Sequence, residues 1–185
     1  MAVFLVYLYL VVFIIFDIVI LTLGIEQMVG FYKNMAPEVP ASKKLRQGVA
    51  AQIKKDMVDV KSILDIGSGW GTMVKTVARA FPKASVTGIE IMPLPFVYSS
   101  IRCLLNKNVK IVLGNAFKVL KKKNEKFDVA IAYLLTPEMK NVEGFLSGFK
   151  ILIAVDFPLP DVKESEKIKL HKDRFGQHYL YVYKK

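Results

Sequence analysis

The segment SILDI at Ser62–Ile66 runs directly into GSGWG at Gly67–Gly71 and then into TMVKTVARAF at Thr72–Phe81. This succession restricts the fold more than any other stretch of the chain. An apolar strand, three glycines at alternate positions and an amphipathic helical period describe a β-strand that turns sharply into an α-helix. Glycines allow such a turn and let the backbone approach a ligand where a Cβ would collide. A strand that feeds a helix in this way returns by a right-handed crossover to a parallel neighbour. The expected architecture is therefore α/β, a doubly wound and mostly parallel sheet with helices on both faces.

The flanking sequence continues the alternation. Leu45, Val49, Ile53 and Met57 recur every four residues and predict a helix over Lys43–Met57, with Ser42 as N-cap. Further strands are expected at Ser85–Glu90, Lys110–Leu113, Phe127–Leu134 and Phe149–Phe157, and further helices at Leu94–Leu105, Ala116–Lys121 and Glu138–Phe145. Glu166–Leu170 and His178–Tyr183 are strand-like with no helical pattern between them, which predicts an antiparallel C-terminal hairpin.

The N-terminus is different. Ala2–Leu23 carries one charge, Asp17, and neither Gly nor Pro. As a helix it would be roughly 33 Å long, enough to cross a hydrocarbon core of about 30 Å. It lacks the cationic start, shorter apolar core and small-residue cleavage site of a signal peptide. Asp17 costs on the order of 2.5 to 3.5 kcal/mol on insertion scales, which the surrounding Leu, Ile, Val and Phe offset. Lys33, Lys43, Lys44 and Arg46 follow the run and no basic residue precedes it, so the positive-inside rule places the remainder on the cytoplasmic side. The expected organisation is a transmembrane anchor at 1–24, a linker and cofactor-covering segment at 25–42, and a catalytic domain at 43–185. All 27 Lys and Arg follow the run, as does every one of the 16 acids except Asp17, a formal charge of +12 that suits anionic headgroups. The lysines are scattered without interleaved aromatics, so no nucleic-acid partner is expected. Cys103 is the single cysteine, which excludes a disulfide framework.

The spacing G-x-G-x-G at Gly67, Gly69 and Gly71 lacks the later glycine of the dinucleotide fingerprint, so a pyrophosphate has less reason to sit there. Asp65 ends the first strand, where it can accept from a cofactor amino group. Glu90 ends the second, placed to take both ribose hydroxyls. Together with Ser68 they describe a site for an adenosine-containing cofactor. Asn115, in the turn after the third strand, is the candidate for the adenine N6 or N1 edge.

With these pieces in order, the chain resembles the membrane-anchored class I protein lysine methyltransferases related to those acting on the ATP synthase c subunit and the adenine nucleotide translocase, with their small prokaryotic relatives. The similarity lies in the N-terminal apolar segment, PEVPAS at Pro37–Ser42, DIGSGWGT, GIE, AYLLTPEM at Ala132–Met139, VDFPLP at Val155–Pro160 and the tail LYVYKK. It implies a Rossmann-like class I methyltransferase fold, S-adenosylmethionine as cofactor, and Val39 and Pro40 folding over it. It also implies that the residues after the fourth and fifth strands border the acceptor, a protein lysine at the membrane. Trp70 stands where that family often has a small acidic residue.

Methyl transfer from a sulfonium needs a neutral nucleophile held in line, with no acyl triad or metal. Tyr133 could shape the acceptor channel, Asp156 could orient the amine, and Glu138 stands beside them in sequence as a third candidate. His171 and His178 are too isolated in the sequence to argue metal binding. A small or lipid-like acceptor is the alternative, and a noncatalytic cofactor-binding module at the membrane is a second.

Overall fold

The alternation read from the sequence closes into one sheet of seven strands. The computed structural model describes residues 2–32, 40–123, 125–173 and 176–185. The strands are β1 (Ser62–Ile66), β2 (Ser85–Glu90), β3 (Val109–Leu113), β4 (Phe127–Ala132), β5 (Phe149–Val155), β6 (Glu166–Asp173) and β7 (Gly176–Lys184). They lie in the order β3-β2-β1-β4-β5-β7-β6. The first five pair in parallel, while β7 is antiparallel to both β5 and β6.

The burial explains the strand sequences. Every residue of β4 is buried, and all of β5 except Lys150, because helices cover both faces of a parallel sheet. On the outer strand β6, Lys167, Lys169 and Lys172 are exposed, a charge pattern that discourages pairing with another edge. Side chains alternate across β1, so Ile63 and Leu64 enter different cores. Ile63 joins Leu45, Val49 and Ile53 of α2 (Lys43–Asp56) and Val74 and Val77 of α3 (Thr72–Ala80). Leu64 and Ile66 join Leu120 of α5 (Ala116–Lys123) and Met139 and Val142 of α6 (Thr136–Glu143). Between β2 and β3 runs α4 (Pro93–Cys103). The register of β1 against β4 is locked at its start, where Asp128 Oδ2 accepts from the Lys61 and Ser62 amides at 2.8 and 3.1 Å and Ser62 Oγ accepts from the Asp128 amide.

Most element ends shift by a residue or a few, and four differences bear on the site or the N-terminus. β4 stops at Ala132 rather than Leu134, which releases Tyr133 and Leu134 into the following loop. α6 starts at Thr136 rather than Glu138, with Pro137 in its first turn, where a missing amide costs nothing. β5 stops at Val155 because Asp156 takes a left-handed φ of 63°, a conformation incompatible with a strand. The fourth lies at the N-terminus. The chain divides into two compact units, residues 1–37 and 38–185. In the first, helix α1 (Ala2–Tyr32) continues through Gly24, so Ile25–Tyr32 is helical rather than a linker. One glycine inside a helix costs only about 1 kcal/mol relative to alanine.

Within α1, Val3–Ile25 is long and apolar enough to cross a membrane. Each apolar side chain from Val3 to Leu21 is at least 39% exposed. A soluble surface does not sustain an apolar area of this kind without a partner or a bilayer. Val39 lies outside the described residues, and Pro40 is exposed.

Candidate active site

Parallel strands deliver all their C-terminal ends to one edge of the sheet. Strand order reverses between β1 and β4, and the crevice outside such a reversal is where doubly wound sheets bind ligands. The glycine loop leaves β1 at this point. Gly67, Gly69 and Gly71 all have positive φ, at 75°, 50° and 72°.

The loop is latched to β2. The Gly67 and Ser68 amides both donate to Ile89 O at 3.0 Å, and the Gly71 amide donates to Ser68 O. Glu90 Oε2 accepts from the Gly69 amide at 2.6 Å and its Oε1 from the Met92 amide at 2.8 Å. Four amides that could have cradled a phosphate are therefore committed inside the protein, which gives the missing dinucleotide glycine its structural counterpart. Glu90 is 4% exposed, so in this structure it acts first as the latch of the loop.

Trp70 meets Tyr98 of α4 edge-on, with ring centroids 5.3 Å apart. Arg102 lies over the Tyr98 ring at 4.9 Å and donates to its hydroxyl at 3.0 Å. The aromatic residue in the loop thus ties it to α4.

Two polar atoms here have no hydrogen-bond partner, Asp65 Oδ2 and Ser68 Oγ, and both residues are buried. A Cβ built on Gly69 would meet nothing within 4 Å, so the loop has open space at its centre. Burial first, and the charge of Glu90 second, push the Asp65 carboxyl up to about 8 from its ordinary 3.8. Between those values the folded protein holds a proton that the unfolded chain has released. This contribution to stability is complete below pH 3.8 and is lost as pH rises to about 8. Without ligand, the unfolding free energy of the wild type should therefore fall relative to Asp65→Asn between pH 5 and 8, by up to about 1.4 kcal/mol per pH unit, and level off above. A constant difference between the two proteins across that range would show that Asp65 titrates normally.

Asn115 Oδ1 accepts from the Lys118 amide at 3.1 Å, capping α5. With its oxygen committed, the amide NH₂ suits adenine N1, an acceptor, better than the N6 amino group.

The loops after β4 and β5 complete the edge. Leu134 Cδ2 lies 2.7 Å from the position a Cβ on Gly67 would occupy, so the segment following β4 rests directly on the glycine loop. Next to it, Tyr133 is half-buried and within electrostatic reach of the Asp156 carboxylate. Burial first, and Asp156 second, raise its phenol to about 12 and keep it protonated. Asp156 also accepts from the Tyr179 amide at 3.0 Å and lies 2.8 Å from His178 Nδ1. Glu138 sits in the first turn of α6 with its Oε2 buried and unpartnered. The structure thus brings Tyr133 within electrostatic reach of Asp156.

What the sequence reading missed is the hairpin tip. β6 and β7 pair Lys172 with Gln177 and Asp173 with Gly176, which sets His171 beside His178 with rings 5.0 Å apart. Far from isolated, the two histidines flank Asp173. The available signal was the strand period, since residues two apart on a strand share a face. Burial opposes the His178 imidazolium, but the Asp156 and Asp173 carboxylates outweigh it and raise its pKa.

Comparison with known proteins agrees with this geometry. The methyltransferase domain family matches residues 63–151. Pavine N-methyltransferase from Thalictrum flavum subsp. glaucum is 34% identical over 130 residues, 68% of this chain and 35% of that protein. Demethylmenaquinone methyltransferase from Tropheryma whipplei is 33% identical over 86 residues, 46% of this chain and 34% of the relative. The chain thus spans about a third of the length of these curated relatives. Among solved structures, an RNA methyltransferase from Salinibacter ruber in complex with S-adenosyl-L-homocysteine superposes with a TM-score of 0.61 at 20% identity, covering 78% of this chain and 92% of that one. Residues 63–151, built on this strand order and this glycine loop, match the methyltransferase domain family, and the chain has the Rossmann-like fold of the S-adenosylmethionine-dependent methyltransferases.

Proposed function

We propose that the chain methylates an amine from S-adenosylmethionine, and that the amine is a lysine of a membrane or membrane-associated protein. The observation that carries this reading is the seating of Leu134 on Gly67, which sets the segment after β4, with Tyr133 next to it in sequence, against the cofactor loop.

The residues present fit the cofactor. Asp65 Oδ2 and Ser68 Oγ are buried acceptors without partners, and the centre of the loop is open at Gly69. In this reading Asp65 meets the ammonium end of the cofactor, Glu90 the ribose hydroxyls and Asn115 the adenine. The bound cofactor supplies an electrophilic methyl group on a sulfonium. Tyr133, within electrostatic reach of Asp156, offers its phenolic oxygen as acceptor to an amine N–H and so aligns the nitrogen lone pair. The half-buried setting of Tyr133 and Leu134 favours the uncharged amine. Glu138 offers a second acceptor from the start of α6.

The amine is supported by the N-methyltransferase relatives. The membrane setting is supported by α1, and the basic residues after it favour a cytoplasmic domain. A small or lipid-like acceptor is the second reading, favoured by the likeness to demethylmenaquinone methyltransferase.

Incubating the full-length chain with methyl-labelled cofactor and membranes should label a protein that yields methyl-lysine on digestion. Tyr133→Phe and Asp156→Asn should each lower the rate about tenfold to a hundredfold with cofactor affinity unchanged, the lower end of what a positioned polar group contributes. Label that partitions into organic solvent, with none in protein, would overturn the lysine reading in favour of the second.

A further inference from the structure

We propose that the tip of the β6–β7 hairpin binds one divalent transition-metal ion of the zinc class through His171, Asp173 and His178. One ligand atom from each residue lies within 4.8 Å of the other two. His178 Nε2 is 3.0 Å and His171 Nε2 is 3.7 Å from Asp173 Oδ2. A tetrahedral ion with bonds of about 2.0 to 2.1 Å sets its ligands about 3.3 Å apart, between those two distances. Two imidazoles and a carboxylate form the donor set of a three-ligand site with one position left open.

Two further observations point to an ion rather than to a plain charge pair. The His178 side chain is only 9% exposed, and although its Nε2 is 3.0 Å from Asp173 Oδ2, the contact lacks the alignment of a hydrogen bond. A buried ring nitrogen without an aligned hydrogen-bond partner is costly unless something satisfies it. The other nitrogen, Nδ1, is held by Asp156 Oδ2 at 2.8 Å. A carboxylate on the far nitrogen of a ligating histidine fixes the tautomer that turns Nε2 toward a metal. Ser42 Oγ stands 3.2 Å from His171 Nε2, so an ion here would join the hairpin to the start of α2 and, through Asp156, to Tyr133. Metal binding requires only these residues and does not depend on which acceptor is methylated.

The test uses the full-length chain in detergent, stripped with a chelator and titrated with Zn²⁺ alone at pH 7.5. About one equivalent should bind and survive gel filtration, and Co²⁺ in its place should give the visible bands of a tetrahedral site. His171→Ala and Asp173→Asn should each weaken binding at least a hundredfold while retaining cofactor binding as proof of folding. Asp156→Asn should weaken it tenfold to a hundredfold, as loss of an outer carboxylate does. Absence of stoichiometric zinc, or zinc held equally by the His171 and Asp173 variants, would overturn the proposal and leave an imidazolium bridging two carboxylates. Should a variant not fold, the Co²⁺ spectrum of the unaltered chain decides, since featureless absorption is incompatible with the site.

Discussion

Glu90→Ala is expected to weaken S-adenosylmethionine binding by a hundredfold or more while the domain stays folded. Glu90 holds the amides of Gly69 and Met92 at 2.6 and 2.8 Å from a buried position. Hydrogen bonds to a charged group contribute about 1.5 to 3 kcal/mol each. Alanine leaves both donors without their acceptor and removes the carboxylate proposed to meet the ribose. The sheet does not depend on this side chain, because β2 pairs with β1 and β3 through its backbone. Glu90→Gln should fall in between, since its carbonyl replaces one acceptor while its NH₂ confronts the other amide. The chain has one tryptophan, Trp70, inside the loop, so its fluorescence during a cofactor titration reads the effect directly. Near-wild-type affinity in Glu90→Ala would mean that the latch is dispensable and that the cofactor is held elsewhere.

The second large effect concerns stability. Gly71→Ala should cost about 3 kcal/mol, combining a left-handed φ that disfavours a Cβ by about 1 to 2 kcal/mol with overpacking of about 1 to 3 kcal/mol. The new Cβ would lie 2.7 Å from Ser99 Cβ and 3.1 Å from Ser99 Cα, and Ser99 is fully buried in α4. Backbone cannot swing aside as a long side chain can, so α3 and α4 must separate. For a domain of this size the thermal midpoint should drop by roughly 10 °C. Gly69→Ala is the control. It has a comparable φ but nothing within 4 Å, so it should lose only about 1 to 2 kcal/mol. If the open space there receives the cofactor, the Gly69 variant should lose binding more than stability, the reverse of Gly71. Equal melting losses in the two variants would show that strain alone, and not contact with α4, makes Gly71 necessary.

The features legible in the chain were those carried by neighbours in sequence. Ser62–Ile66 and Ser85–Glu90 read as strands with the boundaries found, because apolar runs bounded by turn residues are a local signal. The glycine spacing revealed the loop for the same reason, and the two strand-like tail segments revealed the hairpin. The misread boundaries were decided by longer reach or by single dihedrals. Asp156 ended β5 through a left-handed backbone anchored to Tyr179, and α1 passed through Gly24 because one weak residue does not stop a long helix.

Sequence by itself determined a doubly wound sheet, a loop suited to an adenosine cofactor rather than a pyrophosphate, and an N-terminal helix long enough for a membrane. Only the tertiary structure decided the electrostatics of the site. Asp65 carries its raised pKa because burial and Glu90 meet there. Glu90 spends its oxygens on the loop because Gly69 and Met92 converge on it. Asp156, His178, Asp173 and His171 form one cluster because an antiparallel hairpin brings its two strands together at the sheet's active edge. Protonation and coordination depend on which atoms share a few ångströms, and for groups this far apart in the chain that is set by packing.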